Sequence, residues 1–328
     1  MFIVSIIVGI ALLAIGANIL TDGASAIAKR LKVSDFLIGV TIVAVGTSTP
    51  ELVVSLQSAI AGQAEVSIGN IVGSNIFNVY AILGITTLIA PLLLTRANEK
   101  RDIPIHIGAS ALLVLLALDA TIWHIGDNTL SRIDGIVLLV FYGLFLWWVI
   151  RTERGVQTSP ATNQSGATTT PPPQMGVVKA IVMVVAGLAG LIIGSRMFLN
   201  GSVELAHRVG LSEAVIGLVL VAAGTSLPEL FATIVPALKG KSELALGNIL
   251  GSNIANILLI LGTSATIPPL KLGDIGPVDL GVMFSTSIAV LLATLALGRR
   301  KITRLEGFIG LTAYICYTLW LLGGHSLS

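Results

Sequence analysis

The chain of 328 residues is 54% hydrophobic and only 11% charged, with a mean hydropathy of +0.94, whereas a soluble domain carries roughly 25% charge. That balance excludes an ordinary water-soluble protein, and the formal net charge of +2 conceals a sorting of basic residues by loop. A single cysteine, Cys316, sits in an apolar run and excludes a disulfide framework or a thiolate metal site.

Taken in chain order, apolar runs of about 20 residues predict ten membrane spans. The first, over 2–24, opens at Met1-Phe-Ile-Val without a basic leader or a small-residue cleavage site, so it reads as a span and not a signal peptide. Further spans are expected over 34–60, 67–92, 103–124 and 131–150. From Gly155 to Pro173 the composition turns to Thr, Ser and Pro, which cannot bury apolar surface and reads as a mobile linker. Five more spans follow over 177–204, 212–238, 243–269, 277–297 and 305–323. The expectation is an all-α membrane protein: ten transmembrane helices in two inverted five-helix repeats. The first repeat covers 1–150, a cytoplasmic linker covers 151–176, and the second covers 177–328.

Lysine and arginine set the orientation. Lys29, Arg30 and Lys32, then Arg96, Lys100 and Arg101, then Arg151, Arg154 and Lys179 lie on one predicted side, together with Lys239, Lys241, Arg299, Arg300, Lys301 and Arg304. The opposite side holds Arg132, Arg208 and Lys271. The basic side is expected to be cytoplasmic in a plasma or inner membrane, with both termini outside. Five spans per repeat is an odd number, so the second repeat enters the membrane upside down, as in many secondary transporters.

The repeats carry matched motifs. Gly46-Thr-Ser-Thr-Pro-Glu-Leu52 recurs as Gly224-Thr-Ser-Leu-Pro-Glu-Leu230. Gly69-Asn-Ile-Val-Gly-Ser-Asn-Ile-Phe-Asn78 recurs as Gly247-Asn-Ile-Leu-Gly-Ser-Asn-Ile-Ala-Asn256. The offset is 178 residues throughout (224 − 46 and 247 − 69), and about 29 of 68 aligned positions from residue 11 to 78 are identical.

Pro50 and Pro228 lack the N–H that would bond Gly46 and Gly224, so each breaks its helix, and a stranded carbonyl in lipid needs protein, water or an ion. Glu51 lies near Thr47 and Ser48 across the broken turn, and Glu229 near Thr225 and Ser226. Asn70, Ser74 and Asn78 recur every fourth residue, as do Asn248, Ser252 and Asn256. All are oxygen donors, suited to hard cations such as calcium or sodium and not to soft metals. No embedded histidine or cysteine is expected beside the glutamates. A carboxylate at bilayer depth costs several kcal/mol, so a matched pair points to a bound cation. The glycines at four-residue spacing, Gly69/Gly73 and Gly247/Gly251, read by themselves as close helix packing. Glu65, Glu243, Asp119 and His124 fall near span ends and read as interfacial, and Arg196 as snorkelling.

On these motifs the chain resembles the cation/calcium exchanger superfamily, and within it the prokaryotic sodium/calcium exchanger-like branch. Proton/calcium exchangers of that superfamily carry Gly-Asn-x-x-Glu at this place instead. The resemblance covers essentially the whole chain and implies an antiporter, not an enzyme, that exchanges calcium for sodium by alternating access. It implies ion ligands at Ala44, Thr47, Ser48, Glu51, Ser74 and Asn78, and at Ala222, Thr225, Ser226, Glu229, Ser252 and Asn256, with Ala44 and Ala222 acting through backbone carbonyls. It also implies that the first and sixth spans, around Gly16 and Gly194, slide across a rigid core. Calcium, sodium and the lipid bilayer are the expected partners, with no cofactor, nucleic acid or obligate protein partner. Some prokaryotic members have aspartate where this chain has Asn256, which leaves stoichiometry open. The rivals are a proton-coupled calcium exchanger on the same scaffold and, in another class, a passive cation channel.

Overall fold

The computed structural model describes residues 2–124, 127–156, 175–208, 222–295 and 300–324. Most of the expected linker, and the first part of the expected seventh span, lie outside them. Within them the chain is almost wholly helical: α1 (Phe2–Leu31), α2 (Asp35–Thr47), α3 (Thr49–Ile60), α4 (Ala64–Ile89), α5 (Ile103–Ala117) and α6 (Arg132–Val156). After the linker come α7 (Val177–Arg208), α8 (Ala222–Thr225), α9 (Leu227–Leu238), α10 (Ser242–Thr266), α11 (Pro277–Leu295) and α12 (Arg304–Gly324).

Six described helices are long and apolar enough to cross a membrane, and α2 with α3 makes a seventh span bent by 48°. The expected fourth span, 103–124, is interrupted near its end and resumes as a π-helical turn over Asp119–Trp123. Its α-helix, α5, ends at Ala117, and Leu118 leaves helical geometry (φ −107°, ψ 44°). Some helix starts carry polar caps that meet otherwise unpaired N–H groups. Ser34 Oγ accepts from Leu37 N (3.1 Å) ahead of α2. Ser131 and Asp134 cap each other at α6, the Ser131 N–H donating to Asp134 Oδ2 (2.8 Å) and the Asp134 N–H to Ser131 Oγ (3.2 Å). Gly62 and Gly240, 178 residues apart, close the turns after α3 and α9 at φ +77° and +71°, a region that glycine enters without penalty.

α1 and α7 form an antiparallel pair through a glycine seam. A Cβ on Gly9 would meet Gly194 O at 2.8 Å, one on Gly16 would meet Gly187 O at 2.9 Å, and one on Gly23 would meet Ala180 O at 2.9 Å. The glycines repeat every seven residues on both helices, bringing backbone against backbone, as small residues do where lipid removes any hydrophobic drive between helices. Because α1 and α7 are equivalent in the two repeats, their antiparallel course makes the halves inverted. α4 and α10 form the interior instead. Ile68, Ile71 and Ile76 on one, and Leu250, Ile257 and Leu261 on the other, are fully buried. Two short ribbons brace the ends, β1 (Leu92–Leu93) with β4 (Lys301–Ile302) and β2 (Thr129–Leu130) with β3 (Leu270–Lys271), both antiparallel.

Candidate functional site

The site forms where two broken helices meet the middles of α4 and α10. α2 stops at Thr47 and α8 at Thr225. Ser48 and Ser226 leave helical geometry (ψ 10° in both), and Pro50 and Pro228 stand in the first turns of α3 and α9. Proline suits that position because no intrahelical partner awaits its nitrogen. Glu51 and Glu229 fall in the same first turns, where the helix dipole favours negative charge. Both are buried, at 1% exposure. The stranded Gly224 carbonyl accepts from Ser195 Oγ of α7 at 2.6 Å.

The bonds between the halves are reciprocal. Ser48 Oγ donates to Glu229 Oε1 (2.9 Å), and Ser226 Oγ donates to Glu51 Oε1 (3.0 Å). Asn75 Nδ2 donates to the Asn253 carbonyl (3.4 Å), and Asn253 Nδ2 to the Asn75 carbonyl (3.2 Å). Asn78 Nδ2 donates to Asn253 Oδ1 (2.9 Å), and Asn256 Nδ2 to Asn75 Oδ1 (3.0 Å). Patch i on one half meets patch j on the other and the reverse also holds, which is how a two-fold relation appears in contacts. Asn78 and Asn256 stand in π-helical turns, Phe77–Leu83 and Asn256–Leu261. Such turns admit an extra residue, re-aim side chains and gather at functional sites.

Of the seven buried side-chain oxygens without a hydrogen-bond partner among the described residues, four are carboxylate or amide oxygens gathered here: Glu51 Oε2, Glu229 Oε2, Asn78 Oδ1 and Asn256 Oδ1. All four are acceptors, and leaving one buried and unpaired costs about 1–3 kcal/mol, more when it is charged. The hydroxyls around them are Thr47, Ser48, Ser74, Ser226 and Ser252, all buried. Ser74 Oγ reaches Glu51 Oε1 and Ser252 Oγ reaches the Ala44 carbonyl, both at 3.5 Å. The Ala44 carbonyl also takes the Ser48 N–H (3.0 Å). Thr225 closes α8, and Ala222 opens it. The donor set is two carboxylates among neutral oxygens. It can meet a hard cation and offers nothing that a soft metal prefers.

A family model described as sodium/calcium exchanger protein matches residues 1–151 and 179–323. The chain belongs to the sodium/calcium exchanger family. CaxA of Alkalimonas amylolytica is 38% identical over 317 residues, 95% of this chain and 96% of that relative. The sodium/calcium exchanger MaX1 of Methanosarcina acetivorans is 29% identical over 344 residues, covering 96% and 97%. A solved structure of the sodium-calcium exchanger NCX_Mj, soaked with zero Na⁺ and Ca²⁺, matches with a TM-score of 0.82 at 29% identity over 98% of both chains.

In this exchanger-family chain the structure departs from the sequence reading at three points. Asn70 and Asn248 do not join the free oxygens. Their amides donate to the Glu51 and Glu229 carbonyls (3.2 and 3.3 Å) and to Ser55 and Thr233 (2.9 and 3.0 Å), so they pin the half-helices. Close packing is seen at Gly247 and Gly251, which press on Phe36 O and Val40 Cα (both 2.6 Å from a would-be Cβ), whereas Gly73 meets nothing within 4 Å among the described residues. A histidine does belong to the neighbourhood, because buried His106 of α5 lies 3.2 Å from Asn253 Nδ2. The sequence reading also passed over Asn75 and Asn253, although both stand inside the quoted motifs. Arg196 is exposed on α7.

Proposed function

We propose that this chain is a secondary antiporter that moves calcium against sodium by alternating access, with both ions held in turn between Glu51 and Glu229. The single observation that carries the reading is the set of four unpartnered buried acceptor oxygens between two broken helices. Two carboxylates match the charge of one divalent ion, or hold two or three monovalent ions less completely. Competition between those occupancies is the physical basis of exchange. The twelve ligands proposed are Ala44, Thr47, Ser48, Glu51, Ser74 and Asn78 with their equivalents Ala222, Thr225, Ser226, Glu229, Ser252 and Asn256. The names of MaX1 and NCX_Mj, both sodium/calcium exchangers, support the choice of ions.

Alternating access draws support from the inversion of the repeats. α1 and α7, equivalent in the two halves, run antiparallel along their glycine seam. Two inverted halves around one site can open it to opposite sides in turn. The functional units are then 1–150 and 177–328, joined by 151–176, with the basic loops and linker on the cytoplasmic side.

Calcium-45 uptake into proteoliposomes loaded with sodium and diluted into choline buffer tests the reading. Uptake is expected with internal sodium and not with internal potassium. Uptake that follows an acid-inside gradient instead would reassign the chain to proton coupling. Flux that continues without any counter-ion would make it a channel.

A further inference from the structure

Asn75 and Asn253 occupy matched places, yet Asn253 has one partner more. Its Oδ1 accepts from Asn78 Nδ2 (2.9 Å), and its Nδ2 donates to the Asn75 carbonyl (3.2 Å). The same Nδ2 lies 3.2 Å from His106 Nε2. The Asn75 carbonyl can only accept, so it fixes which end of the Asn253 amide faces it. Both amide hydrogens are thereby engaged and Oδ1 is left for Asn78. Facing that amide, His106 Nε2 acts as acceptor in the neutral imidazole that carries its proton on Nδ1, a buried nitrogen with no partner among the described residues. Ser287 Oγ stands 3.5 Å from the same ring nitrogen and shares a 2.8 Å bond with Ser110 Oγ, so only a neutral hydroxyl competes for that lone pair. The position equivalent to His106 is Met283, 177 residues on, because the buried stripe of α5 (Ile103, His106, Ala109, Ser110, Leu113, Ala117) matches that of α11 (Leu280, Met283, Thr286, Ser287, Val290, Thr294) at that offset, and a thioether is at most a weak acceptor. The chain of donors therefore runs one way, from Asn78 through Asn253 to His106, in one half of the molecule only.

We infer that His106 is a positioning residue for Asn78. Together with the Asn75 carbonyl it holds the Asn253 amide, engaging the second amide hydrogen, so that Asn78 turns its NH₂ toward Asn253 and keeps Oδ1 as the free acceptor. Asn256 is set by Asn75 alone and lies outside this control. The inference rests on the proposed role of Asn78 as an ion ligand, and it makes the near-symmetric site unequal in its two halves.

A double-mutant cycle on the half-saturating calcium concentration for uptake tests it, with His106→Leu, Asn78→Ala, Asn256→Ala and the two double variants. His106→Leu is expected to raise that concentration about tenfold, the scale on which outer-shell partners of metal ligands act. His106→Leu should add little to Asn78→Ala but multiply the effect of Asn256→Ala. His106→Gln, which restores an acceptor, should recover part of the loss, and a merely space-filling histidine would not be rescued in that way. His106→Met, similar in volume without a strong acceptor, serves if the leucine variant fails to fold. Equal coupling to both asparagines, multiplication with both, or an unchanged half-saturation would overturn the positioning role. If Asn78→Ala itself changes nothing, the ligand reading fails and this inference with it. If Asn78→Ala weakens calcium and His106→Leu multiplies it, the positioning role alone fails.

Discussion

Glu51→Gln or Glu229→Gln is expected to lower sodium-driven calcium uptake to the level of protein-free vesicles, while the protein still inserts and remains monodisperse in detergent. Each carboxylate is buried, accepts one serine hydroxyl from the opposite repeat, and keeps a second oxygen without a partner. Glutamine retains the volume but presents an NH₂ group and no charge where a cation needs an anionic oxygen. Losing one of two carboxylates that face a bound cation costs about 2–5 kcal/mol of binding, which at about 1.4 kcal/mol per decade is roughly 30- to 4,000-fold. The fold should tolerate the change, because a neutral amide is easier to bury than an unpaired carboxylate. The two variants should be equally inactive, since the serine bonds are reciprocal. A properly inserted variant that transports at the normal rate would remove that carboxylate from the site.

The second large effect is expected at the α1–α7 seam. A Cβ on Gly187 would lie 2.6 Å from Leu20 N and 2.8 Å from Gly16 O. Those are backbone atoms and cannot give way unless the helices separate. Gly187→Leu should therefore cost about 1–3 kcal/mol or more through overpacking, seen as a lower melting temperature in detergent together with loss of uptake. Gly73→Ala, which meets nothing within 4 Å, should leave the melting temperature unchanged. Equal melting of the Gly187 variant and the wild type would mean that the seam is not closely packed.

How much of this was legible in the sequence depends on the range of each interaction. The half-helices were legible because Pro50 and Pro228 act on their own turn, and the glutamates because a charge in an apolar run is conspicuous. Asn75 and Asn253 were not, because both lie off the stripes counted by fours from Asn70 and Asn248. Each finds its partner 178 residues away, beyond any local periodicity. His106 and Ser195 likewise matter through contacts 147 and 29 residues distant. The seven-residue glycine spacing on α1 and α7 was present in the sequence, but its meaning depended on knowing that the two helices are neighbours.

Equilibrium binding of calcium-45 to the purified chain, titrated with sodium, tests the central claim most directly. The account predicts saturable calcium binding that sodium displaces along a curve steeper than one-for-one, and no such binding when Glu51→Gln and Glu229→Gln are combined. Calcium binding that survives in the combined variant, or that does not yield to sodium, would contradict it.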